Sequence, residues 1–168
     1  DRIKFGYGLA GMLNGNLFTY YGDEIGMVGA ATDPDKRIGM LWDTEQEFKI
    51  YPPGTTTREY EFDGVLQQQA DESSILNYYK QCNLIRNAFP SIMRGVPTRI
   101  EYDEPDVLLL SKKWNDETVY IVINFAQEEQ IVEYEWPCGL AASLTIDGEV
   151  QESSGALRMP GYSIAVMA

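Results

Sequence analysis

The chain has 168 residues, 13 basic and 26 acidic side chains, a net charge of −13 and no histidine. That charge excludes a nucleic-acid grip built on phosphate neutralisation and docking on an anionic membrane. The lack of histidine excludes Ser–His and Cys–His catalysis and His-ligated metals within the chain, and the length excludes a complete (β/α)8 barrel of about 250 residues.

The first stretch, 2–13, is apolar and small, with Ile3, Tyr7 and Ala10 at helical spacing. Gly6, Gly8 and Gly11 weaken that helix by about 1 kcal/mol each relative to alanine. Asn14-Gly15-Asn16 signals a helix stop. The run Leu17-Phe18-Thr19-Tyr20-Tyr21 then reads as a strand buried on both faces, as in a parallel sheet. From 23 to 71 the periodicity dissolves among prolines, glycines, charges and the triplet Thr55-Thr56-Thr57, which reads as one long loop. Asp71 or Ser73 can cap a helix over 73–89 whose stripe is Ile75, Tyr78, Cys82, Ile85 and Phe89, and Pro90 ends it.

After Gly95 the texture changes to short β-type runs at 98–102, 107–113, 118–125, 130–135, 142–146, 149–152, 156–159 and 163–167. With no helix among them they predict an antiparallel sandwich. Asn115-Asp116 marks a tight turn, and Asp147-Gly148 reads as a two-residue hairpin joining its flanking strands. The predicted class is therefore α+β, with a helix-and-loop part at 1–95 and a β-sandwich at 96–168. Cys82 and Cys138 match no metal or redox spacing and read as free thiols.

Three linked stretches carry a resemblance. Residues 15–27, reading GNLFTYYGDEIGM, resemble the eighth barrel strand and following loop of the α-amylase family of glycoside hydrolases, typically G-x-P-x-x-Y-Y-G-E-E-I-G-M. Residues 33–42, DPDKRIGMLW, resemble that family's R-x-P-M-x-W segment, and 76–95 its last barrel helix. Leu17, Asp23 and Gly39 depart from the pattern at a proline, a glutamate and a proline position.

The resemblance implies the end of a (β/α)8 barrel followed by the family's C-terminal sandwich. It implies a retaining enzyme acting on α-glucan or oligosaccharide with two carboxyl groups about 5 Å apart. Those carboxylates come from strands expected before Asp1, so the chain alone is expected to be inactive. The missing N-terminal barrel becomes its first partner. The resemblance gives the chain no cofactor of its own and admits Ca²⁺ in the intact enzyme; it leaves localisation, bacterial cytoplasm or secretion, open. An unpaired strand at 17–21 predicts self-association.

Three residues form the candidate substrate site. Arg37 matches an arginine that borders the first sugar subsite in α-glucosidase-like relatives; the bland reading is a salt bridge to Asp33 or Asp35. Glu24 lies where active-site loops leave a barrel strand, against a loop-anchoring role shared with Asp23. Trp42 can stack on a sugar face or pack its loop against the barrel. A second functional class is an α-glucan-binding module using Trp114, Trp136, Tyr102, Tyr120, Tyr134 and Tyr162; a third is a structural or interaction domain. The acidic run Asp103-Glu104-Pro105-Asp106 lacks the spaced ligands of a calcium loop.

Overall fold

A computed structural model describes residues 1–29, 31–46, 49–56, 60 and 62–168. By internal packing these residues form two units, 1–17 with 81–168 and 18–80. None of their helices is long and apolar enough to cross a membrane.

The first unit opens with helix α1, Arg2–Gly11, as the spacing predicts, although the buried face is Phe5 and Tyr7 while Ile3 is exposed. Its glycines have a packing reason. A Cβ on Gly11 would collide with the Cys82 sulfur, so glycine lets α1 approach the next long helix closely. That helix, α3, spans Ile75–Ala88. A short helix, Pro90–Arg94 (α4), follows it, so Pro90 starts a new helix as well as closing the old one. Tyr78, Cys82 and Ile85 of the predicted stripe are buried, and Arg86 is buried with them.

The sandwich forms from two antiparallel sheets. One sheet holds Val96–Ile100 (β1), Val107–Trp114 (β2), Glu117–Asn124 (β3), Ser163–Met167 (β8) and Leu140–Leu144 (β5), in the order β1-β2-β3-β8-β5. The other holds Gln130–Glu133 (β4), Ala156–Met159 (β7) and Gln151–Ser153 (β6), in the order β4-β7-β6. Leu109, Val122, Ala165 and Met167 from the first sheet meet Val132, Leu157 and Met159 from the second in one core. Phe5 of α1 packs edge-on against Phe125 at 5.7 Å and against Tyr162 at 5.3 Å, which seats α1 on the sandwich.

Four expectations need correction. Residues 17–21 form no strand: neither sheet includes them, and Phe18 is 88% exposed. A doubly buried strand takes its hydrogen bonds from neighbours on both sides, and among the described residues no strand pairs with 17–21. The stretch 23–71 is broken by two 3-10 turns, Asp23–Ile25 and Pro34–Arg37, and by helix α2 at Val65–Ala70; Thr57 lies outside the described residues. The cap of α3 is Ser74, whose Oγ accepts the Asn77 N–H at 3.1 Å, while Asp71 binds Ser73 one turn earlier. Asp147-Gly148 makes no hairpin, because β5 and β6 belong to different sheets and only Gly148, φ 72°, takes a left-handed conformation. The two-residue hairpin is Ser154-Gly155, with φ of 51° and 84°, joining β6 to β7 in the register Ser153↔Ala156. Asn115, φ 52°, turns β2 into β3 as expected.

The first unit also holds two buried cations that bind carbonyl groups and, among the described residues, no carboxylate. Arg86 donates to the carbonyls of Gly11, Leu13 and Gly15, at and just past the end of α1. Lys112, only 1% exposed, sends its ammonium to the carbonyls of Met12 and Ile92. These are acceptors that a helix end leaves without partners, and cations there also oppose the helix dipole.

Burial, with the nearby Arg86 charge, pushes Lys112 from 10.5 down to about 8. Between these values the unfolded chain holds the proton more tightly, so stability rises with pH. Burial raises Cys82 from 9.0 to about 11, which opposes that rise above pH 9. Denaturant midpoints should therefore climb between pH 7.5 and 8.5 by about 0.5 kcal/mol of unfolding free energy. Lys112→Met should abolish this rise and destabilise the chain by about 1–3 kcal/mol, because two buried carbonyls lose their donor.

Candidate functional site

The second unit, 18–80, holds all three candidate site residues. One apolar cluster in it joins Ile25, Leu41, Val65 and Leu76, with Met27, Met40, Tyr60 and Phe62 packed around them. Hydrogen bonds between side chains and backbone do much of the holding here. Gln68, buried, donates to the carbonyls of Ile25 at 2.8 Å and Asp63 at 2.9 Å and accepts the Leu76 N–H. It thereby ties the first loop, α2 and the start of α3 together.

Glu24 and Asp23 serve one turn. The Glu24 carboxylate accepts the Gly22 N–H at 2.8 Å, and that of Asp23 accepts the Tyr20 N–H at 3.1 Å. Gly22 and Gly26, φ 92° and 71°, flank this turn in left-handed conformations that alanine would strain. Ile25, fully buried between the two glycines, pins the turn to the core.

A cleft of about 370 Å³ opens beside the turn, lined among others by Tyr20, Tyr21, Asp23, Asp33, Arg37 and Ile38. The two tyrosine rings lie 4.8 Å apart and tilted by 45°. The Tyr21 hydroxyl donates to the Ile38 carbonyl at 3.1 Å. Burial raises its pKa, with Tyr20 adding to the rise and Arg37 opposing it. Arg37 ends the Pro34–Arg37 turn, and its guanidinium meets Asp33 at 2.6 Å with both side chains mostly in water. The pairing foreseen as the alternative for Arg37 is thus present, with Asp33 as partner, and it sits on the wall of a cleft.

The three candidates do not converge. Arg37 lines the cleft; Glu24 does not, being committed to the adjoining turn. Trp42 lies outside it with its indole 63% exposed, although its backbone is held by Gln46 and Leu66. Three residues the sequence reading left out shape the cleft: Tyr20 and Tyr21, assigned there to a buried strand, and Asp35. Asp35 is fully buried at the turn's centre and also belongs to the cleft lining. An aspartate directly after the proline that starts a turn, with a threonine triplet downstream to supply donors, is the signal that could have found it.

In the sandwich, Tyr102, Tyr120, Tyr134 and Trp136 pack partly buried against the core. Trp114 carries the Arg94 guanidinium 5.8 Å from its ring centre. The backbones of Glu104 and Asp106 accept the N–H groups of Val107 and Phe125, so the acidic run frames the entry to β2. Among the described residues no three His, Cys, Asp or Glu side chains converge as a metal site. Cys82 and Cys138 are free thiols, the first buried.

Comparison with known proteins gives relatives along the whole chain. No protein-family model matches. Alpha-amylase SusG of Bacteroides thetaiotaomicron is 24% identical over 99% of this chain, which spans 26% of that protein. A cyclomaltodextrinase of Geobacillus thermopakistaniensis is 30% identical over 68% of this chain, corresponding to 15% of that enzyme. Among solved structures, Eubacterium rectale Amy13B matches with a TM-score of 0.92 at 30% identity, covering 99% of this chain and 34% of its own. The chain therefore spans about a quarter or less of these curated relatives.

An exposed ion pair contributes under about 1 kcal/mol, so Arg37→Ala should leave the unfolding free energy nearly unchanged. Ile25→Ala, emptying a fully buried site, should cost about 2–5 kcal/mol in the same denaturation experiment.

Proposed function

We propose that this chain, a member of the α-amylase family of glycoside hydrolases, supplies the barrel-closing segment and the supporting sandwich of a retaining enzyme acting on α-glucan. The observation that carries the reading is the match over 99% of the chain to Amy13B, together with the 34% of that protein it covers. Such a proportion suits a part that completes a larger catalytic body.

In a retaining mechanism one carboxyl group attacks the anomeric carbon while a second protonates the leaving oxygen, the two lying about 5 Å apart. Asp23 and Glu24 suit neither role, since each accepts a backbone N–H within one turn. Asp33 is paired with Arg37. This chain's contribution is to hold sugar rather than to break bonds. The faces of Tyr20 and Tyr21 offer C–H-rich stacking to a glucosyl ring at the cleft. Arg37 can turn its remaining N–H donors to ring hydroxyls while keeping Asp33 as its brace. Trp42, with its ring in water, is a further stacking face on the same unit.

The exposed Phe18 fits this reading. At 88% exposure it would bury against the rest of a barrel, contributing about 1.5–3 kcal/mol. Without that body, a second copy of the chain is the available cover.

Two measurements test the proposal. The purified chain should release no reducing sugar from soluble starch; turnover that co-purifies with it and vanishes in the double variant Asp23→Asn, Glu24→Gln overturns the reading. Native mass spectrometry at micromolar concentration should show dimers that Phe18→Glu returns to monomers. A strictly monomeric wild type whose residues 17–21 exchange hydrogen as fast as a free peptide rejects the self-association.

A further inference from the structure

The Pro34–Arg37 turn and its cap place Asp33, Asp35 and Arg37 at alternate positions, and these divide between water and interior. Asp33 and Arg37 lie on the cleft side and remain largely solvated, while Asp35 between them is fully buried. An ionised carboxylate withdrawn from water needs hydrogen-bond donors to replace its hydration. Asp35 has four. Its Oδ2 accepts the N–H and hydroxyl of Thr32, the former at 2.9 Å, and the hydroxyl of Thr56 at 2.7 Å. Its Oδ1 accepts the Thr56 N–H at 2.8 Å.

These bonds join segments 21 residues apart, so the carboxylate clips the Pro34–Arg37 turn onto the stretch around Thr56. That stretch is itself braced, since the N–H and hydroxyl of the buried Thr55 both go to the Pro52 carbonyl. The backbone behind the turn is equally tight. A Cβ on Gly29 would overlap the Asp35 carbonyl oxygen, so the preceding strand of chain presses directly on this residue. Among the described residues the Arg37 side chain is paired with Asp33, and both are largely solvated. Its direction is therefore set by the turn that carries it.

We propose that Asp35 is a positioning residue for Arg37: its buried carboxylate locks the Pro34–Arg37 turn so that the guanidinium faces the Tyr20–Tyr21 cleft and can meet the vicinal hydroxyls of a glucosyl unit. The sugar-binding half of this statement rests on the cleft being an α-glucan site. An amide in place of the carboxylate presents N–H groups where an acceptor is required. Asp35→Asn therefore leaves the Thr32 or the Thr56 N–H without a partner and releases the clip. Thr56→Val removes one hydroxyl donor at nearly constant volume, and Thr56→Ser restores it.

The test has two arms on the whole chain. The first reads the Arg37 Nε–Hε resonance by NMR. Asp35→Asn and Thr56→Val should shift it towards the position of free arginine and speed its solvent exchange, while Thr56→Ser stays near wild type. A merely structural clip lowers the melting temperature but leaves this signal unchanged in the folded population, and that result overturns the proposal. If Asp35→Asn does not fold, the Thr56 pair decides by the same criterion. The second arm titrates maltotetraose. Arg37→Ala and Asp35→Asn should each weaken binding about tenfold, and the double variant should lose no more than either alone. Binding that falls in Arg37→Ala but not in Asp35→Asn refutes the positioning role. Absent binding, or binding indifferent to Arg37→Ala, removes the glucan reading of the cleft and leaves the NMR arm to decide on Asp35.

Discussion

The carbonyl groups at the end of α1 are the constraint on which the first unit depends. A helix that stops inside a packed body leaves its last acceptors without partners, and burying them unpaired costs more than most single contacts return. Arg86 and Lys112 answer five carbonyls between them, on α1, the turn after it and α4. Each cation comes from a different kind of element, Arg86 from α3 and Lys112 from β2. The helices and the sandwich are therefore joined by charge-assisted hydrogen bonds as well as by apolar packing such as Phe5 on Phe125. The arrangement asks a lysine to lose its hydration, which is why its proton is held loosely.

The second unit is built by another logic. Beside the apolar cluster around Ile25 and Leu41, polar side chains hold its backbone: Gln68 between the first loop and α3, Asp35 between two distant turns, Asp23 and Glu24 within one. Loops held this way can present side chains to a ligand while their own backbone stays satisfied. The cleft lined by the tyrosines and Arg37 is built on such loops.

This division places the cleft and the sandwich on different physical footings. In the sandwich, inward residues of two sheets meet in one core, with Tyr102, Tyr120, Tyr134 and Trp136 packed against it. Large apolar side chains remain exposed in both units, Phe18, Tyr20, Trp42 and Ile50 in 18–80 and Val96 and Ile131 in the sandwich.

Much of this architecture was legible in the sequence. Period-two runs separated by turn residues located eight strands, two of them to the residue, and the apolar stripe on 75–89 located α3, because these patterns are local and repeat. The glycine-rich start read as a helix for the same reason. Tertiary structure decided the rest. Whether 17–21 is a strand depends on partners that a sequence window does not contain, and without them the same apolar residues stay irregular. Asp147-Gly148 has the composition of a hairpin, but strand pairing sent β5 and β6 to different sheets, and Ser154-Gly155 took the hairpin instead. Asp35, Arg86 and Lys112 look like surface charges in sequence, since burial of a charge depends on which distant donors or carbonyls are brought to it. Hydrogen bonds that span 20 to 100 residues leave no local periodicity; only the folded chain brings their two ends together.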